Sequence, residues 1–182
     1  MISLDLKKGM SLDLTKHDST LTKMNLGLGW DTHMDLDSIA FLLDEHDRLV
    51  ETVCYYHKNG HGVRLNGDNR TGEGDGDDEV IFVDLNRVPS NVAKIALYAN
   101  IYNAGGGFFS KGKTFGQVKG AYVRLVNEVT GKEVCKYSLT EDGKNFNAFH
   151  FADLVKVNGA WTFVAVGEGA NGEIKELEKR YR

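Results

Sequence analysis

The chain has 182 residues, of which 41% are hydrophobic, and this length predicts one domain over residues 1–182 with a core that needs no disulfide staple. Its formal net charge is −4 and it offers no broad basic face, which excludes a protein that binds nucleic acid electrostatically. No segment has the roughly 20 apolar residues of a membrane-spanning helix, which excludes an integral membrane protein of the helical type.

Two further features bear on the cellular compartment. The only cysteines, Cys54 and Cys135, lie in strand-like apolar runs, and we expect both to be buried as small hydrophobic side chains in a reducing compartment. The first seven residues lack the apolar core of a signal peptide. We therefore expect a soluble, cytoplasmic protein.

Short apolar or alternating segments, separated by glycine-containing turns, run through the whole chain. Helix signals are limited to a turn near 151–155 and to 173–181, where Ile174, Leu177 and Tyr181 have helical spacing. This pattern predicts an all-β antiparallel β-sandwich with a few short helices. The predicted strands are 11–14, 21–28, 38–43, 50–56, 80–85, 94–101, 121–127, 133–139, 147–151 and 161–166.

The segment from Gly67 to Glu79 carries six carboxylates, one side-chain amide and four glycines. So many like charges are costly to hold together unless a cation offsets them, and the glycines allow the backbone to wrap around one. Carboxylate, amide and carbonyl oxygens are the ligands of calcium. The segment therefore predicts a metal-binding loop for calcium, and the alternative is a solvated acidic turn.

Two other types of loop do not fit this segment. In an EF-hand that starts at Asp68, the required glycine position would be occupied by Glu73. A phosphate-binding loop aims backbone N–H groups at an anion, which these acids would repel.

A second acidic group precedes the predicted strand 38–43. Asp35 and Asp37 are two residues apart, so both side chains point to the same side of an extended segment. They are either aspartates that face solvent or ligands that converge with the 67–79 segment on one or two ions, because one loop seldom fills a calcium shell alone.

The sequence resembles the TerD family of tellurium-resistance and general stress proteins over essentially its whole length. The resemblance rests on the 67–79 segment, on 27–31 (GLGWD) and 35–38 (DLDS), and on the later segments 101–104 (IYNA), 115–124 (FGQVKGAYVR) and 161–169 (WTFVAVGEG).

The resemblance implies a calcium-binding β-sandwich in which loops at one end hold two neighbouring calcium ions. It also implies a single TerD-like domain, partners from the same tellurium-resistance or stress system, and a membrane-associated complex, with peripheral location at the inner membrane through those partners. Asp31 is a weaker candidate ligand. The ligands that the resemblance implies are Asp35, Asp37, Asp68, Asn69, Glu73, Asp75, Asp77, Asp78 and Glu79.

The chain departs from the family pattern at three places. Asn103 stands where relatives commonly have aspartate, and Met34 stands where they often have an aromatic residue. The glycine-rich segment 105–113 contains Phe108 and Phe109, which are either an exposed contact patch or an anchor of the loop in the core.

Other sites are less well supported. Cys54, His57 and His61 have a spacing suggestive of zinc, but no fourth ligand is evident and 58–60 fits a hairpin turn. Arg124 is explained as a salt-bridge partner of the surplus acids. No signature of a serine or cysteine hydrolase is present.

Two classes of function remain. The first is a non-enzymatic, calcium-dependent binding or scaffold module. The second is a two-metal phosphohydrolase, for which His33 is the nearest candidate general base. Redox chemistry on tellurite is disfavoured because the two cysteines are distant in sequence and no redox cofactor motif is visible.

Overall fold

Two six-stranded β-sheets pack face to face in the computed structural model, which describes residues 3–66, 76–102, 112–139 and 143–182. The first sheet has the order β1-β10-β9-β3-β7-β6 and the second β2-β12-β11-β8-β4-β5. The strands are β1 (Leu4–Leu6), β2 (Ser11–Asp13), β3 (Lys23–Gly29), β4 (Leu36–Leu43), β5 (Leu49–Val53), β6 (Val63–Asn66), β7 (Glu79–Asp84), β8 (Lys94–Ile101), β9 (Tyr122–Asn127), β10 (Glu133–Ser138), β11 (Ala148–Val157) and β12 (Ala160–Ala170).

The predicted all-β antiparallel sandwich is confirmed. Every strand pair is antiparallel except β1–β10, which is parallel. Alternate residues of the strands, such as Leu26 and Leu28 of β3 and Leu97 of β8, fill one large core cluster between the sheets. This alternation leaves the odd-numbered side chains at the end of β3 and the start of β4 on the outer faces.

Short helices complete the fold: α1 (Leu14–His17), α2 (Ile174–Glu178) and 3₁₀ turns at Phe115–Gln117 and Lys179–Tyr181. The predicted C-terminal helix is confirmed, and its buried Ile174 and Leu177 pack on the outer face of the second sheet against Ile39 and Phe41. Each such apolar side chain contributes about 1.5–3 kcal/mol when fully buried. The second sheet is therefore covered on both faces where α2 lies.

Two sequence interpretations were wrong. Residues 151–155 continue β11 instead of forming a helical turn, because a bulge between His150 and Ala152 shifts the register and disguises the strand alternation. The turn after β5 is formed by residues 54–57, where Cys54 and His57 exchange backbone hydrogen bonds, and not by residues 58–60. The short strands β1 and β6 were not predicted, since three or four residues give too little periodicity.

Candidate functional site

Three connections meet at one end of the sandwich. They follow β3, precede β7 and follow β8, because Leu28 is paired with Glu79 in the first sheet and Leu36 with Ile101 in the second. Asp78 lies directly before β7, Glu79 is its first residue, and Asp35 lies directly before β4. The fold thus brings the described end of the acidic segment to the same end of the molecule as Asp35 and Asp37.

Asp78 and Glu79 are buried at the start of β7, with 8% and 1% of their surfaces exposed. The Asp78 carboxylate accepts a hydrogen bond from the backbone N–H of Trp30, with Oδ2 2.8 Å from N. Glu79 reaches across to the second sheet, where its Oε2 accepts a hydrogen bond from the Ser38 N–H at 2.5 Å. Both carboxylates are therefore fixed to the backbone on either side of the connection between β3 and β4.

Asp37 lies on β4 directly opposite Asn100 of β8, so both side chains emerge on the outer face of the second sheet. Only 4% of Asp37 and 1% of Asn100 is exposed. The Asn100 amide donates to Glu173 (Nδ2 to Oε2, 3.1 Å), while its Oδ1 is buried with no hydrogen-bond partner among the residues the structure describes. Asp35 is half-buried, and its carbonyl oxygen accepts a hydrogen bond from the Tyr102 N–H at 2.9 Å.

Asp77 has a different environment on the outer face of the first sheet. Its Oδ1 accepts hydrogen bonds from Arg124 Nε at 2.7 Å and from the Tyr122 hydroxyl at 3.1 Å. Its carboxyl group occupies the space above Gly27, where a Cβ atom would lie only 2.1 Å from it. Arg124 also contacts Glu133 at 3.2 Å, which confirms that it is a salt-bridge partner of the acidic groups.

This environment shifts the pKa values of two neighbouring groups. The hydrogen bond that Arg124 donates to the Asp77 carboxylate raises the pKa of Arg124 above its ordinary value. Burial, followed by the negative charge of Asp77, raises the pKa of Tyr122 to about 12. Both groups therefore keep their protons at neutral pH, and Arg124 keeps its positive charge beside Asp77.

The predicted ligands fall into three groups. The structure brings Asp35, Asp37, Asp78 and Glu79 to one end of the sandwich, and it holds Asp77 against Arg124. Asp68, Asn69, Glu73 and Asp75 lie outside the described residues, as do Asn103, Phe108 and Phe109. Asp31 and His33 are exposed residues of the connection between β3 and β4.

The available oxygen atoms suit a hard cation such as calcium. Carboxylates and one amide oxygen, the buried Oδ1 of Asn100, are the types of donor that calcium accepts. Within residues 3–66, 76–102, 112–139 and 143–182, no three His, Cys, Asp or Glu side chains are grouped so that they alone hold a metal ion. The side chains of these ranges would therefore not fill a calcium shell by themselves. The 67–75 segment remains the predicted source of the other oxygen donors.

The histidines of the alternative zinc site contact a carboxylate. His57 Nε2 and His61 Nδ1 each lie 3.1 Å from a different oxygen of Glu51. Burial alone would raise the pKa of Glu51, but hydrogen bonds from the His61 backbone N–H and the two imidazoles bring it below its ordinary value. Cys54 is fully buried and His61 is largely exposed.

Sequence reasoning missed Asn100, Glu173 and three tyrosines at this end of the second sheet: Tyr55, Tyr56 and Tyr102. Asn100 is the penultimate residue of a correctly predicted strand, but its position opposite Asp37 depends on the register between β4 and β8. No local signal in the sequence specifies that register.

Comparison with known proteins agrees with the fold. The family model of the TerD domain matches residues 2–181. The tellurium resistance protein TerD of Alcaligenes sp. is 39% identical over 99% of this chain and 97% of its own length, and general stress protein 16U of Bacillus subtilis is 38% identical over the same shares. The crystal structure of a homologue of telluride resistance protein (TerD) from Streptomyces coelicolor A3(2) has a TM-score of 0.71 at 21% identity, covering 87% of this chain and 95% of that one. Among the described residues, no helix is long and apolar enough to cross a membrane.

Proposed function

Because the chain belongs to the TerD family of tellurium-resistance and stress-response proteins, we propose that it is a calcium-binding stress protein that acts as a non-enzymatic binding or scaffold module. Several of its relatives have the names of resistance or stress proteins, and these names describe no catalytic activity. The response to tellurite and to chemical damage is the proposed biological setting.

One observation carries the calcium proposal. Asp78 and Glu79, at the end of the acidic 67–79 segment, are buried, and they accept hydrogen bonds from the backbone N–H groups of Trp30 and Ser38, on either side of Asp35 and Asp37. Burying several carboxylates at one end of a sandwich raises the free energy of the folded state unless positive charge offsets it. Bound calcium would supply that positive charge.

All nine predicted ligands are part of the proposed calcium site. Asp35, Asp37, Asp78 and Glu79 would hold calcium together with Asp68, Asn69, Glu73 and Asp75, and the buried amide oxygen of Asn100 is an additional candidate. Asp77 would contribute only with its second oxygen, because Oδ1 already accepts hydrogen bonds from Arg124 and Tyr122. We propose two ions per chain.

The proposed partners are other proteins of the same resistance system, in a complex at the cytoplasmic side of the inner membrane. Calcium would order the acidic end, and the ordered end would present the surface that those partners recognise. At a free calcium concentration of 100 times the Kd, binding adds about 2.7 kcal/mol to the free energy of unfolding. Such coupling would let calcium control how much of the binding surface is formed.

Calorimetric titration of the chelator-stripped protein with Ca²⁺ and with Mg²⁺ tests the proposal. We expect about two calcium ions per chain, weaker magnesium binding, and at least a tenfold loss of calcium affinity in Asp37→Asn. Asp47→Asn is the matched control: it removes the same charge at the opposite end of β4, at a position with positive φ that asparagine tolerates. If neither ion produces heat or a thermal shift, the acidic segment is a solvated turn and the proposal is wrong.

A second assay tests the non-enzymatic part. The protein is incubated with p-nitrophenyl phosphate and bis(p-nitrophenyl) phosphate in the presence of Ca²⁺ or Mg²⁺, and we expect no hydrolysis above the background rate. Hydrolysis that is lost in Asp78→Asn would overturn the scaffold assignment in favour of a two-metal phosphohydrolase.

A further inference from the structure

Three exposed tyrosines form a cluster beside the acidic end of the second sheet. Tyr55 and Tyr56 lie in the turn that follows β5, and Tyr102 directly follows β8. Their exposed fractions are 38%, 51% and 38%. The ring of Tyr55 lies 5.1 Å from that of Tyr56 and 5.9 Å from that of Tyr102, with interplanar angles of 85° and 88°.

Backbone hydrogen bonds hold this tyrosine cluster in place. Cys54 and His57 exchange hydrogen bonds at 3.1 and 2.9 Å, which closes the turn that carries Tyr55 and Tyr56. The N–H of Tyr102 is bonded to the carbonyl oxygen of Asp35. Because the turn and the strand end are already ordered, less conformational entropy of the protein is lost when a ligand binds.

Carboxylates lie close to the rings. Glu178 Oε1 is 3.5 Å from the hydroxyl oxygen of Tyr56. Asp35, Asp37 and Glu173 lie at the same end of the second sheet, where Glu173 accepts a hydrogen bond from Asn100 of β8. These acidic groups would attract a cationic side chain to this end of the sheet.

Clustered, exposed tyrosines are typical of binding surfaces, because each ring offers a large contact area at a small entropic cost. The rings pack edge to face and remain partly exposed, and the exposed faces of tyrosine rings attract arginine and lysine side chains. We propose that the tyrosine cluster binds the arginine or lysine side chain of a partner protein. This inference rests on the binding-module part of the proposed function and specifies the surface and the chemistry of the partner.

The test is an NMR titration of the calcium-loaded protein labelled with ¹³C on its tyrosine rings. The probe is the peptide acetyl-Gly-Arg-Gly-amide, and the matched neutral control has citrulline in place of arginine. We expect saturable shifts of the ring signals of Tyr55, Tyr56 and Tyr102 with the arginine peptide, and about tenfold weaker binding of the citrulline peptide.

Two variants make the test specific. Tyr102→Phe retains the ring and should bind the arginine peptide as the natural protein does, whereas Tyr102→Leu should bind it about two- to fivefold more weakly. Equal binding of the arginine and citrulline peptides would overturn the inference and indicate a surface for apolar or proline-rich segments. Absence of shifts with either peptide, or unchanged binding by Tyr102→Leu, would also overturn it.

Calcium titration of the same samples separates this inference from the proposed function. Tyr102→Leu should bind calcium like the natural protein. Calcium binding without arginine binding would overturn only the inference, and arginine binding without calcium binding would overturn only the calcium proposal.

Discussion

The carboxylate of Glu79 and the backbone N–H of Ser38 connect the two sheets through a hydrogen bond of 2.5 Å. Glu79 is the first residue of β7 in the first sheet, and Ser38 lies in β4 of the second. Both residues are almost completely buried. The last residue of the acidic segment is thus also a structural link between the sheets at the candidate metal site.

This double role leads to the first prediction. Glu79→Ala should lower the free energy of unfolding by about 1–3 kcal/mol, because it leaves the buried Ser38 N–H without its acceptor. Glu79→Gln retains an acceptor oxygen and should lose much less stability, although it should weaken calcium binding. Urea unfolding in the presence of a chelator measures the first effect without a contribution from calcium. Equal losses in both variants would contradict the structural role of the hydrogen bond.

The second prediction concerns Gly27, which faces the Asp77 carboxyl group. Gly27→Ala should displace Asp77 from Arg124, because the new Cβ atom would occupy the position of that carboxyl group. The ion pair is partly exposed, so we expect a loss on the order of 1 kcal/mol in the free energy of unfolding. A double-mutant cycle with Asp77→Ala measures the coupling, and the effect of Gly27→Ala should be smaller when Asp77 is already absent. Fully additive effects would show that Gly27 is needed for another reason.

The sequence predicted the helix α2 but did not predict the contact between Gly27 and Asp77, and the difference is one of local against non-local information. The spacing of Ile174, Leu177 and Tyr181 lies within one segment, so it predicted the helix and the face by which it packs. The position of Gly27 under Asp77 depends on the pairing of β3 with β7 and β9, which places Arg124 opposite Gly27. Such non-local registers are not encoded in any single segment.

The same reasoning applies to the candidate site. The composition of the 67–79 segment and the spacing of Asp35 and Asp37 suggested that both segments bind a cation together, and this stays a prediction. The sequence contained no signal that Asn100 would lie opposite Asp37, or that Tyr55 and Tyr102 would pack edge to face. Those residues come from different strands, and only the folded sheet brings them together.

The third prediction concerns pH and Glu51. The pKa of Glu51 in the folded state is below its ordinary value of 4.5, so its ionised form stabilises the fold above the pKa of the unfolded chain. This contribution is lost as the pH falls through the folded-state pKa. The difference in free energy of unfolding between the natural protein and Glu51→Gln should therefore be largest at pH 6–7 and should shrink below about pH 4.5.

Urea unfolding between pH 3.5 and pH 7 checks this expectation. Glu45→Gln is the matched control, since Glu45 is a largely exposed glutamate of the turn between β4 and β5. A pH-independent difference between the natural protein and Glu51→Gln would show that the contacts with His57 and His61 do not stabilise the ionised carboxylate.

The fourth prediction concerns the two cysteines, which the structure buries completely and leaves as free thiols. Burial raises the pKa of both, that of Cys135 to about 12. Since the thiolate is the reactive form, both groups should be inert in the folded protein at neutral pH. A thiol reagent such as dithionitrobenzoate should react with much less than one thiol per native chain and with both thiols after unfolding in urea.

The variant Cys54→Ala, Cys135→Ala should leave any tellurite-dependent phenotype unchanged. Rapid labelling of the native protein, or loss of resistance in a variant that folds and binds calcium normally, would instead support direct redox chemistry.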